Sequence, residues 1–323
     1  MLIETSIAPE RRAQIEIAGP RIAVLLPCRD EEAAIAQTVA AFRAALPEAE
    51  IYVYDNASGD RTAEVAAAAG AIVRREERPG KGHVVRRMFA DVEADYYVLA
   101  DGDATYDAAS APGMIDRARA DALDMVAGAR RHSDAAAYRR GHRFGNRLLT
   151  GLVQYVFERR FEDMLTGYRV FSRRFVKTFP ATSRGFEIET ELTVHALQMR
   201  LPCAETPTPY GARPEGSASK LSTIRDALRI LRAIGFLAKE EKPLSVFAGA
   251  ALVLALPSAV LFASVLAEYM ATGLVPRLPS LVVATGGIGL AALSVVCALV
   301  LDTVARGRRE ARWLAYLSYG APR

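Results

Sequence analysis

The chain has 323 residues and a formal net charge of +4, from 41 lysines and arginines against 37 aspartates and glutamates. This length allows one large domain or two ordinary ones. Its three cysteines, Cys28, Cys203 and Cys297, show no metal-ligand spacing, which argues against a cysteine metal site or a disulfide framework and predicts free thiols in a reducing compartment. Residues 1–20 are charged and have no apolar core, so no signal peptide is expected there.

Short apolar runs alternate with helical patterns over residues 21–208. The predicted strands are, in chain order, 21–27, 51–54, 71–73, 96–100, 124–128, 168–171 and 203–208. The predicted helices between them are 31–46, 61–69, 83–93, 138–160 and 187–201. Apolar strands that alternate with helices indicate an α/β fold with a mostly parallel sheet covered on both faces.

Polar clusters follow three of these strands directly, at 28–31, 55–62 and 101–105. Ligands of parallel sheets bind beyond the carboxyl ends of the strands. In the third cluster, Asp101 and Asp103 stand two residues apart with a glycine between them, so both carboxylates can reach one hard cation. Because Asp-Gly-Asp also forms ordinary turns, the pair by itself leaves a purely structural role open.

Two common nucleotide-binding signatures do not match. The first strand leads into Pro27-Cys-Arg-Asp-Glu31, without the glycines of a dinucleotide-binding turn. Gly80-Lys-Gly82 is no P-loop, because neither Ser nor Thr follows Lys81 and no glycine stands five residues before it. A dinucleotide enzyme and a P-loop nucleotidase are therefore both disfavoured.

Two segments near the C-terminus lack Asp, Glu, Lys and Arg: the 25 residues 243–267 and the 24 residues 278–301. A bilayer core about 30 Å thick requires about 20 apolar residues of helix, so both segments are predicted to cross a membrane. A pair of buried core helices is the alternative, and runs of this length are rare in soluble cores.

The flanks of these segments predict how they are oriented. Residues 219–242 form a basic amphipathic pattern, which indicates a helix in the headgroup layer or, alternatively, one packed on the preceding domain. Cations are frequent before the first span and after the second, but the connecting loop 268–277 carries one. The positive-inside rule then places the domain at 1–218 and the tail at 302–323 in the cytosol. The clustering of cations beside the spans also favours an anionic membrane surface over nucleic acid as partner.

Six short motifs occur in a fixed order across residues 20–235. They are Pro27-Cys-Arg-Asp-Glu31, Asp55-Asn-Ala-Ser-Gly-Asp-Arg-Thr62, Gly80-Lys-Gly82, Asp101-Gly-Asp103, Thr166-Gly-Tyr-Arg169 and Arg213-Pro-Glu-Gly-Ser-Ala-Ser-Lys-Leu221. The set resembles glycosyltransferase family 2, and the last two motifs resemble its polyprenyl- and dolichyl-phosphate branch. Two terminal spans are similar to those of bacterial glucosyl and aminoarabinosyl members of that branch.

The resemblance implies a GT-A fold, a nucleotide-sugar donor and a divalent cation, Mg²⁺ or Mn²⁺. It assigns donor binding to Pro27, Glu31, Asp55, Lys81 and Asp101, and metal binding to Asp101 and Asp103. Some relatives carry a glutamine as metal ligand two residues after the second Asp. In this chain Thr105 stands there, and a threonine hydroxyl is a weaker ligand.

A lipid phosphate acceptor requires cations, and five arginines gather after the fifth strand, at 130, 131, 139, 140 and 143. Arginine forks suit phosphate oxygens, although a solvated basic face is the alternative. By resemblance the expected acceptor contacts are Arg130, Arg143, Asn146, Arg169, Arg213, Ser219 and Lys220. The expected catalytic residues are Asp101, Asp103 and Arg130.

Together these observations predict an inner-membrane enzyme that transfers a sugar, with UDP-hexose favoured as donor, to polyprenyl phosphate. GDP-mannose and UDP-aminoarabinose remain open as donors, and a homo-oligomer is possible. A processive polysaccharide synthase is a weaker alternative, because Arg309 stands where a Gln-x-x-Arg-Trp element would have its glutamine. A non-catalytic membrane adaptor is also disfavoured, because Asp103 and the phosphate-binding arginines are retained.

Overall fold

The computed structural model describes residues 19–132, 161–214 and 242–321, together with the single positions 232, 235 and 239. The strands are, in chain order, β1 (Ile22–Cys28), β2 (Glu50–Asp55), β3 (Ile72–Arg75), β4 (Tyr96–Leu99), β5 (Met125–His132), β6 (Arg169–Ser172) and β7 (Cys203–Tyr210). The helices are α1 (Ile35–Ala45), α2 (Thr62–Ala68), α3 (Lys81–Asp91), α4 (Ala111–Ala120), α5 (Arg173–Thr178), α6 (Ile188–Gln198), α7 (Pro243–Thr272) and α8 (Leu278–Leu317). The helical pattern predicted at 138–160 lies outside these residues, as does most of the amphipathic stretch 219–242.

The seven strands form one sheet in the order β3-β2-β1-β4-β6-β5-β7. Strand β6 runs antiparallel to both of its neighbours, and the other pairs are parallel. Helices α1 and α4 cover one face of the sheet, whereas α3, α5 and α6 cover the other. The predicted α/β class with a mostly parallel sheet is therefore confirmed.

Burial on both faces explains why the strands are continuous apolar runs. In β1, Ala23 and Leu25 pack on one face of the sheet, and Val24 and Leu26 pack on the other. Strand β5 extends beyond its predicted apolar run because it pairs in parallel with β7, from Met125 opposite Cys203 to His132 opposite Tyr210. This pairing satisfies the backbone of its polar end, which hydrophobicity alone cannot reveal.

Helices α7 and α8 form a hairpin of two candidate membrane spans, with a mean hydropathy of 2.3 in the most apolar window of each. Only 11% and 17% of those windows are buried, unlike the core helices of a soluble domain. Small residues let the two helices approach closely. The buried alanines of α8 recur every seven residues, at Ala284, Ala291, Ala298 and Ala305, and a Cβ on Gly287 would overlap the Ser258 hydroxyl of α7.

His195 belongs to α6, and its side chain lies in the core and is only 2% exposed. Its ring packs edge-on against Phe175 and Phe179, with centroid distances of 5.2 and 5.4 Å. Neither ring nitrogen has a hydrogen-bond partner among the described residues. Burial, and next the charge of Arg312, lowers the pKa of His195 to about 3. The folded domain therefore holds this imidazole neutral.

This burial predicts an acid-sensitive fold. Below the ordinary histidine pKa of about 6.5, His195 binds a proton in the unfolded chain but not in the folded domain. The free energy of unfolding therefore falls as the pH drops from 6.5 toward 3. At pH 5 the loss is about 2 kcal/mol relative to neutral pH. We expect His195→Leu to flatten the decline of the thermal midpoint between pH 7.5 and pH 5. The matched variant His83→Leu, at a more exposed position, should keep the wild-type decline. An equal decline of the thermal midpoint in both variants would contradict the assignment of the acid sensitivity to His195.

Candidate active site

The loops after β1 and β2 are joined by hydrogen bonds at the carboxyl edge of the sheet. The Asp30 amide donates to Ser58 Oγ at 2.9 Å, and the Gly59 amide donates to Asp30 Oδ1 at 2.8 Å. The Glu31 amide donates to Thr62 Oγ1 at 2.8 Å. These contacts place buried Glu31 beside the end of β2, where the first two predicted motifs meet.

Asp55 ends β2 and is 4% exposed. Its Oδ2 accepts a long hydrogen bond from the Ser58 amide, at 3.4 Å. Its buried Oδ1 has no hydrogen-bond partner within the described part of the chain. A buried carboxylate oxygen without a donor is costly, so this atom is suited to accept a hydrogen bond from a ligand. Pro27 lies one strand away, opposite Tyr54 in the register of β1 and β2.

The Gly-Lys-Gly motif starts α3 in a conformation that requires both glycines. Asn56 holds the loop, accepting from the Gly80 amide on Oδ1 at 2.7 Å. Gly80 has φ of 130°, a value that side chains disfavour, and a Cβ there would overlap the Arg184 carbonyl. A Cβ on Gly82 would overlap the Ser183 carbonyl. The close approach of this second loop directs Lys81 into the site.

Lys81 lies between two carboxylates. Its ammonium contacts Asp101 and lies 2.6 Å from Glu189 Oε1. Only 9% of the Lys81 side chain and 8% of the Glu189 side chain are exposed. Burial disfavours the ammonium, but Asp101 and Glu189 outweigh it and raise the pKa of Lys81. Burial raises the pKa of Glu189, which Lys81 opposes. The lysine therefore stays cationic between the buried Glu189 and the partly exposed Asp101.

Asp103 is held by a different cation. The Arg213 guanidinium lies 2.7 Å from Asp103 Oδ2. Thr105 donates to Asp103 Oδ1 through its hydroxyl, at 2.6 Å, and through its amide, at 3.2 Å. Burial, and next the charge of Asp101, raises the pKa of Asp103. The Thr105 hydroxyl is thus occupied with Asp103, and Arg213 reaches the acidic pair from the end of β7.

Two glycines allow the acidic pair to sit this close to neighbouring motifs. A Cβ on Gly102 would overlap the sulfur of Cys28. A Cβ on Gly167 would lie 2.9 Å from Asp101 Oδ2 and 3.1 Å from Lys81 Nζ. The Gly167 amide donates to the Tyr106 hydroxyl at 2.8 Å. The Thr166-Gly-Tyr-Arg motif therefore reaches the site through its glycine.

Gly167→Ala is expected to impair the site without unfolding the domain. The added methyl group would lie too close to the charged ends of Asp101 and Lys81, so at least one of these two side chains has to shift from its position in the site. We expect the catalytic activity to fall by about tenfold or more, with a thermal midpoint within a few degrees of wild type. Gly113→Ala, with no atom within 4 Å of the new Cβ, is the control and should be fully active. Full activity of Gly167→Ala would show that this contact is unimportant.

Arg169 differs from its expected role. It is fully buried, and its guanidinium donates to the carbonyl oxygens of Thr166 at 3.0 Å, Met164 at 2.6 Å and Glu189 at 3.1 Å. The expectation that Arg169 contacts an acceptor phosphate is therefore wrong, because its side chain is fully buried and donates to carbonyl groups of the domain. Arg169 instead ties the strand start of β6 to α6, and thereby supports Glu189.

Arg130 lies near the end of β5 and forms a bidentate pair with Asp163, at 2.6 and 2.8 Å. Its guanidinium also lies 5.6 Å from the centre of the Tyr210 ring. Arg143, Asn146, Ser219 and Lys220, the other expected acceptor contacts, lie outside the described residues. The structure thus brings together Lys81, Asp101, Asp103 and Arg213, with Asp55 next to the Asn56 that holds the Gly-Lys-Gly loop, and sets Arg130 at the end of β5.

Sequence reasoning missed Glu189. Three glutamates, at 187, 189 and 191, stand at the start of the predicted helix 187–201. Glu189 and Glu191 are both buried, and the second accepts the amides of Thr182 and Ser183 at 2.8 Å. The available signal was the spacing of these acidic residues, two apart at the start of a helix. Such residues are almost never fully buried unless they are paired, so their burial requires a partner such as Lys81.

Residues 23–179 match the family model described as glycosyl transferase family 2. Protein RfbJ of Shigella flexneri is 53% identical over 123 residues, covering 38% of this chain and 95% of that protein. Glycosyltransferase AglJ of Haloferax volcanii is 35% identical, covering 70% and 75%. A dolichyl-phosphate hexose transferase of the same organism is 28% identical, covering 68% and 95%.

The fold has counterparts among solved structures. Glucosyl-3-phosphoglycerate synthase of Mycobacterium tuberculosis, in complex with Mn²⁺, UDP-glucose and phosphoglyceric acid, superposes with a TM-score of 0.56 at 22% identity. The match covers 67% of this chain and 80% of that protein. The family model and the relatives above establish that the chain belongs to glycosyl transferase family 2 and is a glycosyltransferase. The solved structure shows that its fold is GT-A.

Proposed function

We propose that this enzyme transfers a hexosyl residue from a nucleotide sugar, with UDP-hexose favoured, to polyprenyl phosphate at the cytosolic face of the membrane. One observation carries the proposal: the Asp101 and Asp103 pair, with cations beside it, belongs to the same chain as two candidate membrane spans. The dolichyl-phosphate hexose transferase relative supports a lipid phosphate as acceptor. Cations flanking the hairpin support a cytosolic site, since the loop 268–277 carries only one.

The site fits a divalent cation. Asp101 and Asp103 offer two carboxylates beside each other, and Mg²⁺ and similar ions take one or two carboxylates and complete their shell with phosphate oxygens and water. Bound by these two residues, the cation would supply neutralisation of the diphosphate that leaves. Thr105 is not proposed as a direct ligand, because its hydroxyl donates to Asp103.

The remaining residues bind and position the donor. Asp55 accepts a hydrogen bond from the nucleoside on its unpartnered Oδ1, and Glu31 lines the same edge. Lys81 and Arg213 lie against the acidic pair, where both cations reach the donor phosphates. The proposed ligands of the acceptor phosphate are Arg130, at the end of β5, and Arg143 and Asn146, which lie outside the described residues. Arginine forks match phosphate oxygens in this role.

The reaction is a single displacement. An oxygen of the acceptor phosphate attacks the anomeric carbon and forms the new C–O bond. The bond from that carbon to the diphosphate breaks, and its electron pair leaves on the nucleoside diphosphate, so the configuration inverts. A phosphate monoester has a second pKa near 6 and is already anionic in the cytosol, so no general base is required. Positioning and charge neutralisation then carry the catalysis.

The test is a panel of nucleotide sugars, among them UDP-glucose, GDP-mannose and UDP-aminoarabinose, supplied with undecaprenyl phosphate, with and without Mn²⁺. Mass spectrometry reads the lipid product. We expect one sugar to be added to the lipid, only with the cation and most efficiently from a UDP-hexose. A ladder of longer products would favour a processive synthase instead. Binding of nucleotide sugar without any lipid product would favour a non-catalytic adaptor.

A further inference from the structure

Helix α8 does not stop where its apolar segment stops. It continues from Asp302 to Leu317 without interruption. An ion pair of 2.7 Å between Asp302 and Arg306, one helical turn apart, supports its first turn beyond the apolar segment. Fourteen helical steps separate Asp302 from Tyr316, a rise of about 21 Å. We call residues 302–317 the strut, because a helix of this length holds its two ends at a fixed separation.

The far end of the strut is docked on the GT-A domain through Tyr316. This side chain is 6% exposed and belongs to the core on the α3, α5 and α6 face of the sheet. Its hydroxyl donates to Asp124 Oδ2 at 2.8 Å. Asp124 is itself fully buried, at the start of β5. The terminal helix therefore completes the core of the domain.

The docked contact is charged as well as apolar. Arg174 donates to Asp124 at 2.5 and 3.1 Å, and Ser172 Oγ donates to it at 2.6 Å. The Arg174 guanidinium also lies 4.6 Å from the centre of the Tyr316 ring, and Trp313 stacks on that ring at 4.8 Å. A buried carboxylate requires such donors. Tyr316 therefore supplies one of the hydrogen bonds that the buried Asp124 carboxylate needs.

The contact between Tyr316 and Asp124, which we call the dock, lies far from the site along the sheet. Asp124 precedes β5, whereas Arg130 is near the other end of that strand, about 20 Å away at the rise of a β-strand. Tyr316 also has no described contact with Asp101 or Asp103. Any influence of the strut on the reaction must therefore act through the position of the whole domain.

We propose that the strut holds the domain at a fixed height and tilt, so that its cleft meets a phosphate presented at the bilayer surface. The inference rests on the proposed function, because it presumes a lipid phosphate acceptor. A lipid phosphate is confined to a plane and is reached only by a cleft at the right height. A water-soluble phosphate can enter the cleft in any placement of the domain. Loosening the dock should therefore penalise the first acceptor and spare the second.

The test uses the full chain in liposomes. One acceptor is a long-chain polyprenyl phosphate in the bilayer, and the other is a short-chain, water-soluble prenyl phosphate. We expect Tyr316→Ala to lower kcat/KM for the long-chain acceptor by about fivefold or more, through KM, with transfer to the soluble acceptor unchanged. Tyr316→Phe keeps the ring against Arg174 and should be intermediate. Leu314→Ala, 69% exposed on the same helical turn, is the matched control and should match wild type.

Hydrogen exchange of residues 302–317 provides a second readout. The amides of the last turns should exchange faster in Tyr316→Ala than in Leu314→Ala. Equal losses on both acceptors would overturn the proposal, because they would mean that Tyr316 only stabilises the fold. Unchanged transfer to the long-chain acceptor, or unchanged exchange, would overturn it as well. If wild type uses neither acceptor, the proposed function fails, and the exchange rates alone decide whether the helix is docked.

Discussion

Replacing Asp103 with asparagine is expected to reduce sugar transfer by about 10²- to 10³-fold, the cost of removing one preorganised electrostatic group from an active site. Asparagine keeps the size and one carbonyl oxygen but removes the charge that Arg213 and a cation require. The fold should survive, because burial and Asp101 already raise the pKa of Asp103 and make its charge costly. Initial rates at saturating and limiting Mn²⁺ measure the effect.

The control for this variant is Asp116→Asn, which removes an exposed carboxylate of the same domain from α4. We expect wild-type rates from it. Isothermal titration of nucleotide with and without Mn²⁺ gives a readout independent of turnover. The dependence of binding on the cation should disappear in Asp103→Asn. Activity near the wild-type level in Asp103→Asn would refute the assignment of Asp103 to the metal.

Replacing Lys81 with methionine is expected to produce the second large effect, on both stability and donor binding. It leaves Asp101 and Glu189 facing each other's charge without the ammonium that neutralises them. Breaking a buried ion pair by removing one partner costs about 3–5 kcal/mol. Glu189 should then take up a proton, since burial already raises its pKa. Urea unfolding and nucleotide titration measure the two losses.

A double variant separates these losses. Lys81→Met with Glu189→Gln removes the buried uncompensated charge and leaves that of Asp101, which is 30% exposed. It should recover most of the stability, because matched apolar or neutral replacement of a buried pair is often nearly neutral. Donor affinity should stay low, because no cation remains to contact the diphosphate. The control variant Arg61→Met breaks an exposed pair with Glu32 and should leave the stability close to that of wild type. Recovery of donor affinity in the double variant would mean that Lys81 has no role beyond neutralising Glu189.

The strand ends and the hairpin could be predicted because each depends on residues near one another in the chain. Apolar runs of strand length followed at once by polar clusters define the carboxyl edge of a parallel sheet. The prediction that Asp55 and Asp101 share that edge needed no knowledge of side-chain packing. The two uncharged segments of about 25 residues follow the same logic, since bilayer thickness sets their length.

Side-chain partners could not be predicted, because they are decided by residues far apart in the chain. Arg169 and Arg213 are both arginines within recognisable motifs, yet one is fully buried against carbonyl groups and the other contacts Asp103. Glu189 pairs with Lys81, more than a hundred residues before it. The antiparallel direction of β6 also depends on its neighbours in the sheet rather than on its own four residues.

The sequence by itself therefore determined the α/β class, the order of the motifs along one sheet edge and the two membrane-length helices. Periodicity, strand-end polarity and the absence of charge are local properties of a chain. Only the tertiary structure decided which cations neutralise Asp101 and Asp103, that Arg169 is structural, and that α8 ends in the core of the domain at Tyr316. Those outcomes depend on burial and on long-range pairing, which arise when distant segments pack together.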